Sequence, residues 1–367
     1  MEDTIRKCIW IGTSGFLFCY SPSSSEVNCI EQLNGNSVKT LNIDCDNNLL
    51  IGTDNGLYIY SDNNKVEHIV HDSGNDRSLA NNIIWNIFKD RDNNIWLATD
   101  YGISLCRYND NYQTVPISQL SEINAGNQFY TIFRDSYDNF WFGGTNGLMF
   151  QQSNSKNKWY RLDDTKNPIS HNRIRYIYED KDFDIWVATD GCVNRYDKHT
   201  KQFLHYNIVD SSLKRNANWA YSIFEDKNAK LWIATCLGGV FVVDKKNLIL
   251  SSGYYVAEKN FSVENGLSGD FVTKAISDKQ GNVWVLLYNN GINKINTDDY
   301  SVDVIPLEIT AENENPTFML CDNQGYIWAG SRKGVWRINP VDYSLVTINI
   351  DDYNNKVLSM VEENDNI

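Results

Sequence analysis

The chain has 367 residues, 42% of them apolar and 22% charged, which supplies a core and excludes global disorder. With 33 basic against 47 acidic side chains the net charge is −14, a field that repels phosphate backbones and argues against direct nucleic-acid binding. Aromatic residues reach 13% beside 22 glycines and only 6 prolines, the profile of an all-β protein or a carbohydrate binder rather than a helical bundle.

From the N-terminus, Met1-Glu2-Asp3-Thr4 is acidic where a signal peptide is basic. The first β-like run follows at once. Ile9-Trp10-Ile11-Gly12-Thr13 recurs as Leu49-Leu50-Ile51-Gly52-Thr53, Ile95-Trp96-Leu97-Ala98-Thr99, Phe140-Trp141-Phe142-Gly143-Gly144 and Ile185-Trp186-Val187-Ala188-Thr189. Three more copies centre on Trp232, Trp284 and Trp328. The eight anchors are spaced by 40 to 52 residues, so the whole chain is one repeat array.

Each copy after the first carries an aspartate six residues before its anchor: Asp44, Asp90, Asp135, Asp180, Asp226, Asp278 and Asp322. A short apolar run precedes that aspartate, as in Ile174-Arg175-Tyr176-Ile177-Tyr178. A glycine turn and a second β run follow the anchor, as in Gly56-Leu57-Tyr58-Ile59-Tyr60, and a weaker fourth run closes the unit, as in Phe203-Leu204-His205-Tyr206. One unit is therefore four strands of about five residues joined by Asp, Asn and Gly turns. The apolar runs do not alternate, so both sheet faces must be covered. Four-stranded sheets each packed between two neighbours are the blades of a β-propeller. The aspartate is expected to cap the turn between strands one and two, and the anchor Trp to fill the space between blades.

The chain enters on a second strand and leaves after a first strand, Val357-Leu358-Ser359-Met360-Val361-Glu362-Glu363. Two arrangements fit. Either the last strand joins the Trp10 strand and closes eight blades, or seven blades are followed by the start of a second propeller. Ending one residue short of a motif anchor favours a fragment of a longer array, with the insert 251–269 as the seam between propellers.

The pattern Glu179-Asp180, Ile185-Trp186-Val187-Ala188-Thr189 and Arg195-Tyr196-Asp197 resembles the two-component regulator propeller repeat, and Ser78-Leu79-Ala80-Asn81-Asn82 and Asn265-Gly266-Leu267-Ser268 resemble that family's lead-in to the first strand. The resemblance covers essentially the whole chain; Leu50 and Leu286-Leu287 depart from it. It implies the periplasmic sensor of a Bacteroidetes hybrid two-component histidine kinase, an inner-membrane protein that detects polysaccharide-derived oligosaccharides and switches on carbohydrate-utilisation genes by phosphorelay. It also implies further propeller and immunoglobulin-like domains of the same chain as partners, leaves a homodimer open, and calls for no cofactor.

The residues themselves carry little catalytic signal. Asp90-Arg91-Asp92-Asn93-Asn94 and Asp180-Lys181-Asp182-Phe183-Asp184 echo a calcium loop, but Ile95 and Ile185 replace its glycine and Tyr101 and Gly191 its final glutamate. No CxxC pair, HExxH or GxSxG occurs. The eight cysteines are scattered and read as small buried residues, with cross-strand pairing left open. Sugars are held by aromatic stacking beside planar polar groups, and loops at blade ends are where such groups converge. One loop set offers Tyr101, Asn146, Asp190, Asn290 and Arg332; the other offers Trp85, Arg173, Arg175, Asn218, Trp219 and Lys274. Trp85, Tyr101, Arg173, Arg175, Asn218 and Trp219 are the candidate ligand-binding residues, with no catalytic residue and no metal ligand. The alternatives are a free-standing propeller enzyme, a lyase or glycosidase, and a protein-interaction scaffold.

Overall fold

The computed structural model describes residues 8–61, 64–108, 114–116, 128–152, 157–248, 252–307, 309, 314–350 and 356–362. The fold is an all-β propeller of eight blades, named here by their anchors. The anchor strand is the second of four antiparallel strands in every blade; in the Trp186 blade these are Ile174–Glu179, Ile185–Thr189, Val193–Asp197 and Gln202–Val209. Glu363, which the sequence reading put in the last strand, lies outside the described residues.

The turn between strands one and two explains the recurring aspartate. In all seven copies Asp Oδ1 accepts from the backbone N–H two and four residues on, as Asp180 does from Asp182 and Asp184. The residue between them is left-handed in each turn: Asn47, Asn93, Asp138, Phe183, Ala229, Gly281 and Gly325. In six blades the other carboxylate oxygen accepts the anchor's indole N–H, at 2.7 to 2.9 Å. One aspartate thus caps the turn and satisfies the buried Trp. Leu50 needs no acceptor, and there Asp44 Oδ2 takes the Asn48 side-chain amide instead.

The molecule divides into two compact units, Met1–Phe129 with Ala311–Ile367, and Tyr130–Thr310. In the first, apolar clusters join the Trp328, Trp10, Leu50 and Trp96 blades in that order. Its Trp10 blade is closed by the strand Val357–Glu362, which pairs with Ile9–Thr13. Of the two arrangements the sequence allows, eight blades form. The seven-blade alternative fails because that strand completes the first sheet and does not begin a ninth.

In the second unit, clusters join the Trp141, Trp186, Trp232 and Trp284 blades. Trp141, Trp186 and Trp232 lie inside these clusters, which is the inter-blade role expected of them. Each indole contributes about 2–3 kcal/mol of burial. The insert 251–269 lies within this unit. Gly253–Val256 adds a parallel fifth strand beside Gln202–Val209, and Lys259–Phe261 supplies the outer strand of the Trp232 blade.

Candidate functional site

The site is set by a bulge. Where the innermost strand pairs with the anchor strand, the register slips between Val38 and Thr40, Ile84 and Asn86, Ile174 and Tyr176, Ala220 and Ser222, and Val272 and Lys274. The extra residue is Lys39, Trp85, Arg175, Tyr221 or Thr273. A bulge leaves one residue unpaired and re-aims its side chain, here toward the loop joining the second and third strands. Trp85 accordingly donates from Nε1 to Asp100 Oδ1 at 2.8 Å, with the Lys39 ammonium 4.6 Å above its ring. Arg175 reaches the equivalent Asp190 through two bonds, Nε–Oδ1 at 2.6 Å and Nη2–Oδ2 at 3.1 Å. The Thr189 hydroxyl, donating to the Cys192 carbonyl and accepting from Gly191 N–H, folds the loop that carries Asp190.

A cavity of about 290 Å³ opens beside this pair in the second unit, lined among others by Asp190, Arg215, Asn218, Trp219 and Leu237. Asp210 builds one wall: its Oδ1 accepts from Lys214 N–H and Arg215 N–H, folding the approach to the innermost strand Ala220–Glu225. Arg215 is then held by Glu264 at 3.1 Å and Asp270 at 3.3 Å. Gly238 forms another wall, where an added Cβ would come within 2.6 Å of the Asn216 carbonyl. Trp219 is 45% exposed at φ +53°, a conformation that costs a bulky side chain about 1–3 kcal/mol. Leu237 is 71% exposed. An indole kept in water on a strained backbone is a poor choice for stability alone.

Aromatic rings extend the surface across three blades. The Arg175 guanidinium lies 4.9 Å over Tyr221, Tyr221 meets Phe271 at 5.9 Å, and Phe271 stacks on Tyr288 at 5.0 Å. Burial pushes the Tyr221 phenol up, so it stays a neutral hydrogen-bonding group at physiological pH. Flat apolar faces beside a half-buried Arg–Asp pair and an amide suit a polar ring-shaped ligand such as a sugar.

Of the six candidate residues, Asn218 and Trp219 line the cavity and Arg175 anchors its Asp190. Arg173 contributes through its backbone, its carbonyl accepting from Asp190 N–H at 3.4 Å. Trp85 and Tyr101 belong to the other compact unit, where Tyr101 is half-buried on its Thr99 turn. Asn146 accepts from Arg161 through its carbonyl, and burial pushes Lys274 down to about 8. Tyr221, Phe271, Tyr288 and Leu237 are the residues sequence reasoning missed. Tyr221 was within reach, since it occupies the same repeat position as Trp85 and Arg175.

Residues 78–101 match the family model described as two component regulator propeller. No curated protein matches the chain. Among solved structures, two crystal structures of the extracellular domain of BT4673 from B. thetaiotaomicron are 52% identical, with TM-score 0.61. One assigns that domain to a one component system and the other to a hybrid two component system. The match covers 97% of this chain and 49% of the other, so the chain spans about half the length of these relatives. Virginiamycin B lyase from Staphylococcus aureus is similar in fold alone, at 13% identity and TM-score 0.55 over 80% of this chain and 90% of the lyase. With the repeat running through every blade and the identity extending over nearly all of its length, the chain is built on a repeat that matches the two component regulator propeller at residues 78–101.

Proposed function

We propose that the chain is the ligand-sensing propeller in the extracytoplasmic region of a hybrid two-component sensor histidine kinase. It binds a polysaccharide-derived oligosaccharide at the Trp219 cavity and acts by binding, with no turnover of its own. Further domains of the same protein carry the event to a phosphorelay that controls carbohydrate-utilisation genes. The observation that carries this reading is the exposed, left-handed Trp219 beside Asn218 and the Arg175–Asp190 pair. The 52% identity to an extracellular domain that one of its two structures describes as part of a hybrid two component system supports it. Signalling then requires that the ligand favour one arrangement of the sensor over another.

Calorimetric titration of the chain against a panel of neutral and acidic oligosaccharides tests the reading. Saturable binding of one glycan, weakened roughly tenfold or more by Trp219→Ala, is expected, with the sugar recovered intact. Cleavage of the sugar, or binding indifferent to Trp219, would overturn it.

A further inference from the structure

A second cavity, of about 590 Å³, lies between the Trp141 and Trp186 blades. It is lined by groups from the turns joining strands one to two and three to four. Because the strands alternate in direction, those turns sit at the opposite strand end from Asp190 and Trp219. The volume falls within the range of small-molecule sites.

Two residues here break the repeat. At the turn position two after the aspartate stand Asp46, Asp92, Asp182, Asn228, Gln280 and Gln324, but in the Trp141 blade it is Tyr137. At the left-handed position the other turns use Asn, Asp, Ala or Gly; the Trp186 blade uses Phe183, at φ +65°. An aromatic side chain strains that backbone where glycine or asparagine would not. Neither ring gains burial in return: Tyr137 is 62% and Phe183 48% exposed. They meet edge to face at 6.3 Å across the mouth of the cavity.

Cations surround them. Lys198, held by the Asp182 carbonyl at 3.0 Å, lies 5.8 Å from the Tyr137 ring and 5.7 Å from the Phe183 ring. Lys158, His199 and Lys201 are exposed on the same lining. Asp135 is the carboxylate of the wall, and its two oxygens are taken by the Tyr137 and Asn139 N–H groups, the Asn139 amide and the Trp141 indole. The lining thus sets three lysines against one carboxylate, with the exposed Asp138 and Asp182 beside the two rings, on a chain of net charge −14.

We infer that this cavity is a second binding site, for a ring-bearing organic anion: the ring rests on Tyr137 and Phe183 and its carboxylate or sulfate is met by Lys198 and the neighbouring lysines. A sugar acid and an aromatic acid share this chemistry. The site is separate from the Trp219 cavity and does not depend on the function proposed for it.

The test is titration of the chain with digalacturonate and with ferulate, using galactobiose as the neutral control. One or both anions bind saturably, roughly tenfold or more tightly than galactobiose. Which of them binds distinguishes the sugar acid from the aromatic acid. Phe183→Asn and Lys198→Met each weaken that binding by about tenfold or more, while Trp219→Ala leaves it unchanged. Phe183→Asn melts no lower than the parent, so its loss cannot be ascribed to unfolding. Equal binding of galactobiose, no saturation by either anion at millimolar concentration, or indifference to both substitutions overturns the site.

Discussion

Trp186 and Lys245 share one acceptor. Asp180 Oδ2 takes the indole N–H at 2.8 Å and the Lys245 ammonium at 3.0 Å. That ammonium also reaches Asp182 at 2.8 Å and Glu225 at 3.2 Å, and the Asp180 and Glu225 side chains are almost fully buried. Lys245 comes from the short 3-10 turn Lys245–Asn247 that follows the third strand of the Trp232 blade, so this turn is tied to the Trp186 blade through a buried charge network.

Lys245→Met strands two buried carboxylates without their cation and is expected to cost about 3 kcal/mol. The loss should appear as a lower urea midpoint with an unchanged slope.

The same contacts fix a pH dependence. Bonds to Asp182 and Asp180 raise the Lys245 pKa above its ordinary 10.5 against the opposing effect of burial. A raised lysine contributes its stability in full below the unfolded value and loses it as pH rises through the folded one. Unfolding measured at intervals from pH 7 upward should therefore show a constant gap between parent and Lys245→Met until about pH 10, narrowing only above it.

Trp232→Phe keeps most of the ring in the inter-blade cluster but leaves Asp226 Oδ2 without the indole donor. A loss of about 2 kcal/mol is expected, by the cost of an unsatisfied buried acceptor. Leu50 sets the contrast: its blade has no indole to satisfy, so Leu50→Phe should perturb packing without touching Asp44.

Phe183→Gly should raise stability by about 1 kcal/mol, since it relieves the left-handed strain at φ +65° and removes a half-exposed ring. Trp219→Gly should do the same at φ +53° while weakening oligosaccharide binding. Thermal unfolding of both variants checks the sign; a fall in melting temperature in either would mean that its ring packs productively.

The blades were legible because their signal repeats. Eight anchors and seven aspartates mark strands and turns by spacing alone, and the aspartate's cap followed from ordinary turn chemistry. Its second bond, to the indole, was not read, although the constant six-residue offset carried it. The number of blades stayed open because it depends on whether Val357–Glu362 finds Ile9–Thr13, a pairing no local pattern encodes. The site was half legible. Asn218, Trp219 and Arg175 stood out as an aromatic and its polar neighbours, whereas nothing in the sequence marks Tyr221 and Phe271 off from the aromatic residues that pack between blades. The bulge that redirects Tyr221 is a change of register between two strands and leaves no mark on either one alone.

The sheet shared by Ile9–Thr13 and Val357–Glu362 also orders events during synthesis. Ile9–Thr13 leaves the ribosome long before Val357–Glu362, and all five of its residues are buried in the finished blade. Its partner follows roughly 350 residues later; at about 5–20 residues per second the wait lasts tens of seconds. Through that interval the strand offers an open, apolar edge to any other chain. Nascent copies on one polysome are then one another's nearest competitors for the pairing, and domain-swapped assemblies joined through this sheet are the expected by-product of rapid expression.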